Sequence, residues 1–125
     1  MHATAPDTRP DVWVGHAGPI CVPDLDDGIE FYSALGLHLI HRNEELAALQ
    51  LRGGTHLVLL HGRGQPGDAP FDLMVDNLER HRTTLIDAGL EPTAIEQLRA
   101  HARFTITDPG GTTVRVHDSH VVGPA

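Results

Sequence analysis

The chain has 125 residues, a length that suits one domain with a modest core, and 17 acidic residues outnumber nine basic ones, giving a formal charge of −8 with histidines neutral. An acidic chain is a poor match for nucleic acid, whose binding depends on neutralised phosphates, and the longest apolar run, residues 57–60, is too short to cross a membrane. The single cysteine, Cys21, excludes an internal disulfide and so fits a reducing compartment. Together these features predict a cytoplasmic protein without nucleic-acid or membrane partners.

The first half of the chain has the pattern of a strand, a helix and three further strands. An apolar stretch at 20–22 ends before Asp24, whose carboxylate can accept a bond from a free backbone N–H and so begin a helix. Gly36 tolerates the left-handed conformation that ends helices. Between them, apolar residues recur at helical spacing, namely Leu25, Ile29, Tyr32 and Leu35. Turn residues then separate short strands expected near 38–43, 46–52 and 55–61.

The second half of the chain repeats this layout. The motif Val22-Pro23-Asp24-Leu25, followed by Gly36, recurs 53 positions later as Val75-Asp76-Asn77-Leu78, followed by Gly89. Gly53-Gly54-Thr55 recurs 57 positions later as Gly110-Gly111-Thr112. We therefore expect a second strand–helix unit from 71 to 89, followed by strands near 92–97, 102–107 and 112–118.

This duplication predicts an α+β fold made of two βαβββ modules within a single domain, residues 1–125. The first module covers about 12–62 and the second about 70–119. Residues 63–69, rich in glycine and proline, are expected to be the linker between the modules.

Three segments of the first half resemble a known family signature, namely Val22-Pro23-Asp24-Leu25-Asp26-Asp27, Phe31-Tyr32 and Leu35-Gly36-Leu37. They are similar to the first module of the vicinal-oxygen-chelate superfamily, which includes glyoxalases, bleomycin-resistance proteins and dioxygenases. Asp108-Pro109-Gly110-Gly111 resembles the closing turn of that family. The resemblance covers about residues 14–118 and implies a curved mixed sheet around a cleft. It does not choose among isomerases, dioxygenases and drug-binding proteins, because a fold does not fix a function.

The resemblance also locates the metal-ligand positions that enzymes of this family use, one on each of four strands. They fall on Ala17, Val58, Pro70 and Arg115. None of these side chains donates to a metal ion, and a guanidinium repels one, so we expect no metal or other cofactor. A bulge at Pro19 would turn His16 inward in place of Ala17 and restore one ligand. Other histidines could then be recruited, notably His56, His61 and His117.

Alternation along the predicted strands assigns the residues that would line the cleft. Arg115 and His117 share one side of the last strand, and Asp72 lies on the same side of the strand near 71–75. A polar ligand could engage Arg115, or Arg115 and Asp72 could pair and fill an unused cavity. The predicted ligand-binding set is Arg115, His56, Val58, Asp72, His117, Ala17, Pro70 and Met74.

Two functions are consistent with this pattern. The first is a metal-free binding protein, similar to bleomycin-resistance proteins, that sequesters an antibiotic or a similar polar metabolite and forms a homodimer. The second is an isomerase, lyase or dioxygenase that uses a divalent ion held by His16 and other histidines, or metal-free acid–base chemistry. The absence of ligand residues at the four family positions favours the binding protein, and whether any reaction is catalysed stays open.

Overall fold

The computed structural model describes residues 8–118 and contains two βαβββ units. The first unit consists of β1 (His16–Val22), α1 (Leu25–Leu35), β2 (His38–Arg42), β3 (Leu46–Gln50) and β4 (His56–His61). The second unit consists of β5 (Gly67–Val75), α2 (Leu78–Asp87), β6 (Glu96–Gln97), β7 (Ala102–Thr107) and β8 (Thr112–Asp118). The predicted α+β class with two βαβββ modules is confirmed. Neither helix is long and apolar enough to cross a membrane.

Each unit forms its own four-stranded mixed sheet. The strand orders are β1-β4-β3-β2 and β5-β8-β7-β6. β1 runs parallel to β4 and β5 runs parallel to β8, while all other neighbouring strands are antiparallel. The edge strands β1 and β5 lie against each other, and α1 contacts α2. Both helices therefore cover the same side of the molecule, and the opposite sides of the two sheets are together called the open face.

Both helices begin, and α1 ends, at the capping residues predicted from the sequence, whereas the C-cap of α2 is Ala88, one residue before the predicted Gly89, whose φ is 86°. The Asp24 carboxylate accepts a hydrogen bond from the backbone N–H of Asp27 at 3.0 Å, and the Asn77 side chain accepts one from Arg80 at the same distance. Gly36 ends α1 with a φ of 114°, a conformation that favours glycine. Equivalent caps in the two halves place each helix at the same point after its first strand.

The core lies between the helices and the covered side of both sheets. The repeated apolar positions are buried in it on both sides of the duplication, as Leu57 and Leu59 in β4 and Val114 and Val116 in β8. At Gly28 of α1 an added Cβ would lie 3.0 Å from Val22, so the helix approaches the sheet more closely than a larger residue would allow. The internal repeat thus corresponds to two equivalent halves of one core.

A buried polar contact joins the two units on the helix side. The Tyr32 hydroxyl on α1 donates a 2.7 Å hydrogen bond to Oδ2 of Asp108, which lies just before β8. Oδ1 of the same carboxylate accepts bonds from the backbone N–H groups of Gly110 and Thr112, at 2.8 and 2.9 Å. Asp108 therefore shapes the closing turn and also connects that turn to the other unit.

Two strand boundaries differ from the prediction. β5 begins at Gly67, inside the segment expected to be linker. The strand expected at 92–97 is reduced to Glu96–Gln97. Pro92 has no N–H for a ladder, and ahead of Glu96 the segment is joined to β7 at Thr93, whose N–H donates to the Thr105 carbonyl at 2.9 Å and whose hydroxyl accepts the Thr105 N–H at 2.8 Å.

Candidate functional site

The most polar part of the open face is a cluster around Arg115 in β8. Its Nε donates to Oδ1 of Asp72 on the neighbouring strand β5. Its two terminal nitrogens donate at 3.3 Å to Oδ2 of Asp68 and to the carbonyl of Ala69. These carboxylates hold the pKa of Arg115 above its usual range. Every nitrogen of the guanidinium is therefore engaged by β5.

His117 lies beside this pair and is the most deeply buried member of the cluster. Its side chain is 9% exposed, and its Nε2 is 3.4 Å from Oδ2 of Asp72. Neither ring nitrogen makes a hydrogen bond. The ring of His101 packs edge-on against it, with ring centroids 4.5 Å apart. A buried imidazole without hydrogen bonds is costly unless something else engages it.

Burial lowers the pKa of His117, and the attraction of Asp72 offsets this only in part, while His101, Arg103 and Arg115 lower it further. As the pH falls, the unfolded chain therefore binds a proton at this histidine at a higher pH than the folded chain does. The stability that the neutral ring contributes is lost as the pH falls below about 6.5. We expect an NMR titration of His117 to give a pKa below the usual value of about 6.5. A value at or above it would contradict the burial of the neutral ring.

The first sheet contributes a less polar part of the open face. His16 of β1 and His56 of β4 are register partners with ring centroids 5.9 Å apart. Val58 and Leu60 follow His56 on the same side and are half-buried, whereas the residues between them are fully buried. This part therefore offers apolar side chains next to two imidazoles.

The predicted place of Ala17 in the cleft is wrong. Ala17 is buried in the core and is the register partner of buried Leu57. The register between β1 and β4 shifts between Ala17 and Ile20, where a cis peptide bond precedes Pro19. His16 lies on the open face instead, as the alternative with a bulge at Pro19 predicted.

The other seven predicted residues lie on the open face, in the cluster around Arg115, in β4 or in β5. Asp72, Arg115 and His117 form the cluster, His56 and Val58 lie on the first sheet's open face, and Pro70 and Met74 are exposed in β5. The sequence prediction does not include Asp68, because it assigns residues 63–69 to the linker, whereas β5 begins at Gly67. Alternation along β5 does not assign Asp68 reliably, because the pairing with β8 shifts between Asp68 and Asp72.

The four family metal positions do not fit a divalent ion. They hold Ala17 in the core, Val58, Pro70 and Arg115, and the guanidinium of Arg115 places a positive charge among them. Residues 8–118 contain no group of three histidine, cysteine, aspartate or glutamate side chains that could hold a metal ion. His16 is the single donor that the bulge adds to the family set, and one imidazole is fewer than the three or four protein ligands that such ions take.

Comparison with known proteins identifies the family of this sequence. Residues 13–116 match the Glyoxalase/Bleomycin resistance protein/Dioxygenase superfamily. No sequence among the curated proteins matches the chain.

Solved structures share the fold at low sequence identity. A lactoylglutathione lyase from Agrobacterium tumefaciens is 18% identical with a TM-score of 0.73, covering 89% of this chain and 96% of its own. A bleomycin-binding protein complexed with bleomycin is 20% identical with a TM-score of 0.67, covering 89% of this chain and 100% of its own. Oxidase ChaP-H2 is 18% identical with a TM-score of 0.65, covering 88% and 95%. These neighbours differ in activity, so they support the fold alone.

Proposed function

This chain belongs to the glyoxalase/bleomycin resistance protein/dioxygenase superfamily, and from that premise we propose that it binds a small polar molecule on its open face and acts by sequestering it. The ligand would be an antibiotic or a similar metabolite, and neither a metal nor another cofactor would take part. The bleomycin-binding neighbour gives a precedent for binding within this fold.

The observation that carries the proposal is the cluster of Asp68, Asp72, Arg115 and His117 on the side of the second sheet that no helix covers. Met74 in the same sheet is 47% exposed, and Val58 in the adjoining sheet is half-buried. A few convergent polar groups beside accessible apolar side chains are the usual composition of a small-molecule site.

A second copy of the chain would complete this site. The open face is a surface rather than an enclosed pocket, and two depressions of the described surface, beside Phe31 and beside Arg52, include none of the eight predicted residues. We propose a homodimer in which the partner covers the open face and turns it into a cleft. Sedimentation of the purified protein tests this, since a monomer at micromolar concentration would contradict it.

Titration calorimetry against bleomycin and a panel of other cationic and polar antibiotics tests sequestration. We expect at least one saturable binding curve with the wild-type chain. Val58→Arg, which places a long charged side chain on the apolar part of the open face, should weaken that binding about tenfold or more, because it obstructs the surface and adds positive charge.

The matched control is Ile86→Arg. Ile86 is 45% exposed on α2, on the helix side of the molecule, so the change adds the same side chain and the same charge away from the open face. Its affinity should equal that of the wild type. Flat titrations across the whole panel, equal effects of both variants, or a stoichiometric divalent ion in the purified protein would each contradict the proposed function.

A further inference from the structure

We infer that the part of the ligand held by the cluster is an organic cation, an ammonium or guanidinium group received by the carboxylates of Asp72 and Asp68. This inference rests on the proposed function and specifies its ligand chemistry. It differs from the sequence expectation, in which Arg115 was the group that would bond a charged or polar ligand.

The guanidinium of Arg115 already has hydrogen-bond partners within the protein. Each of its nitrogens donates to β5: Nε to Asp72, one terminal nitrogen to Asp68 and the other to the Ala69 carbonyl. A ligand anion would have to displace carboxylates from this guanidinium, and would approach two negative charges in doing so. The cluster is therefore unsuited to a carboxylate or phosphate ligand.

The carboxylates, by contrast, retain unused acceptor capacity toward solvent. The side chain of Asp68 is 69% exposed and that of Asp72 is 46% exposed, whereas that of Arg115 is 27% exposed. A carboxylate offers about four lone-pair sites, and these two share one guanidinium. The accessible part of the cluster thus carries an excess of negative charge.

His117 provides an independent observation that points to a ligand at the same place. Its side chain is more than nine-tenths buried, its Nε2 faces Asp72, and neither nitrogen makes a hydrogen bond. Burial lowers the pKa of this ring, which favours its neutral form. Arg103, its register partner in β7, lowers that pKa further and pairs with Glu96 at 3.5 Å, so that carboxylate balances its charge.

Three probes of similar shape and different charge test this inference: tryptamine, which is a cation, N-acetyltryptamine, which is neutral, and indole-3-propionate, which is an anion. Each is titrated into the isotope-labelled full chain, and backbone amide shifts of β5 and β8 report binding. We expect tryptamine to bind about threefold to tenfold more tightly than N-acetyltryptamine, and indole-3-propionate to bind least. The preference should shrink as salt is raised, because exposed charges are screened.

Asp72→Asn keeps the shape of the side chain and removes its charge, so it should abolish most of the preference for tryptamine. Asp68→Asn, at a more exposed position, should reduce it as well. The matched control is Asp76→Asn, since Asp76 also pairs with an arginine, the exposed Arg52, and lies just after the end of β5, four residues beyond Asp72. That variant should keep the wild-type preference.

The outcomes separate this inference from the proposed function. Equal binding of the three probes, tighter binding of the anion, an unchanged preference in Asp72→Asn, or no shifts with any probe would overturn the inference. If an antibiotic of the panel still binds in that case, sequestration stands and the ligand chemistry is wrong. If nothing in the panel binds either, both proposals fail.

Discussion

Asp108→Ala should lower the free energy of unfolding by about 3–5 kcal/mol, the largest single-residue effect that we expect. The carboxylate is 4% exposed and accepts three hydrogen bonds, from the Tyr32 hydroxyl and from the backbone N–H groups of Gly110 and Thr112. Alanine removes every acceptor, leaves the buried phenol without a partner and frees the closing turn. Chemical denaturation of the wild type and the variant measures the difference.

Tyr32→Phe separates the contact between the units from the turn itself. It removes the phenol donor and leaves the two backbone bonds of Asp108, so the expected loss is smaller, about 1–2 kcal/mol. If Asp108→Ala costs no more than Tyr32→Phe, the turn bonds contribute nothing and this interpretation fails. Combining the two changes should cost less than the sum of the single losses, because both remove the same bond.

The same contact predicts how stability depends on alkaline pH. Burial and the neighbouring Asp108 raise the pKa of Tyr32 well above its usual value. The unfolded chain releases the phenol proton near pH 10, where the folded chain still holds it, so stability contributed by this residue is lost as the pH rises above about 10. Tyr32→Phe should show a shallower loss of stability between neutral and alkaline pH than the wild type shows.

The duplicated architecture could be predicted from the sequence because it depends on local chemistry. Helix caps at Asp24 and Asn77 use side-chain acceptors that are recognisable in the sequence, and the structure places both bonds as expected. Burial alternates along β4 and along β8 as far as Val116, so the side of Arg115 and His117 was also predictable, although His117 is itself buried.

The parts of the site that could not be predicted depend on strand irregularities. Because of the register shift at Gly18-Pro19, His16 lies on the open face and Ala17 lies in the core. A proline in the sequence indicates that a bulge can form, but it does not determine which of these two residues faces the core. The same limit applies to β5, whose pairing with β8 shifts between Asp68 and Asp72. The contacts of Arg115 with Asp72, Asp68 and the Ala69 carbonyl span this shift.

Gly64→Ala should destabilise the fold by about 2–3 kcal/mol, the second large effect that we expect. Gly64 lies in the connection between β4 and β5, where an added Cβ would overlap the carbonyl oxygen of Gly110 and lie 3.0 Å from its Cα. Both neighbours are backbone, so no side chain can rotate away, and the connection must move off the closing turn.

That movement has a local signature, because the next residue, Gln65, bonds both units. Its side-chain oxygen accepts the backbone N–H of Cys21 at 2.9 Å, and its carbonyl accepts the Thr112 hydroxyl at 2.7 Å. In Gly64→Ala the amide of Cys21 should therefore exchange its hydrogen faster, beyond the effect of lower global stability. Gly62→Ala is the matched control, since its Cβ would lie 3.8 Å from Cys21, an ordinary contact. Equal stability of the two variants would mean that the connection is free to shift, and that the approach of Gly64 to Gly110 does not hold the two units together.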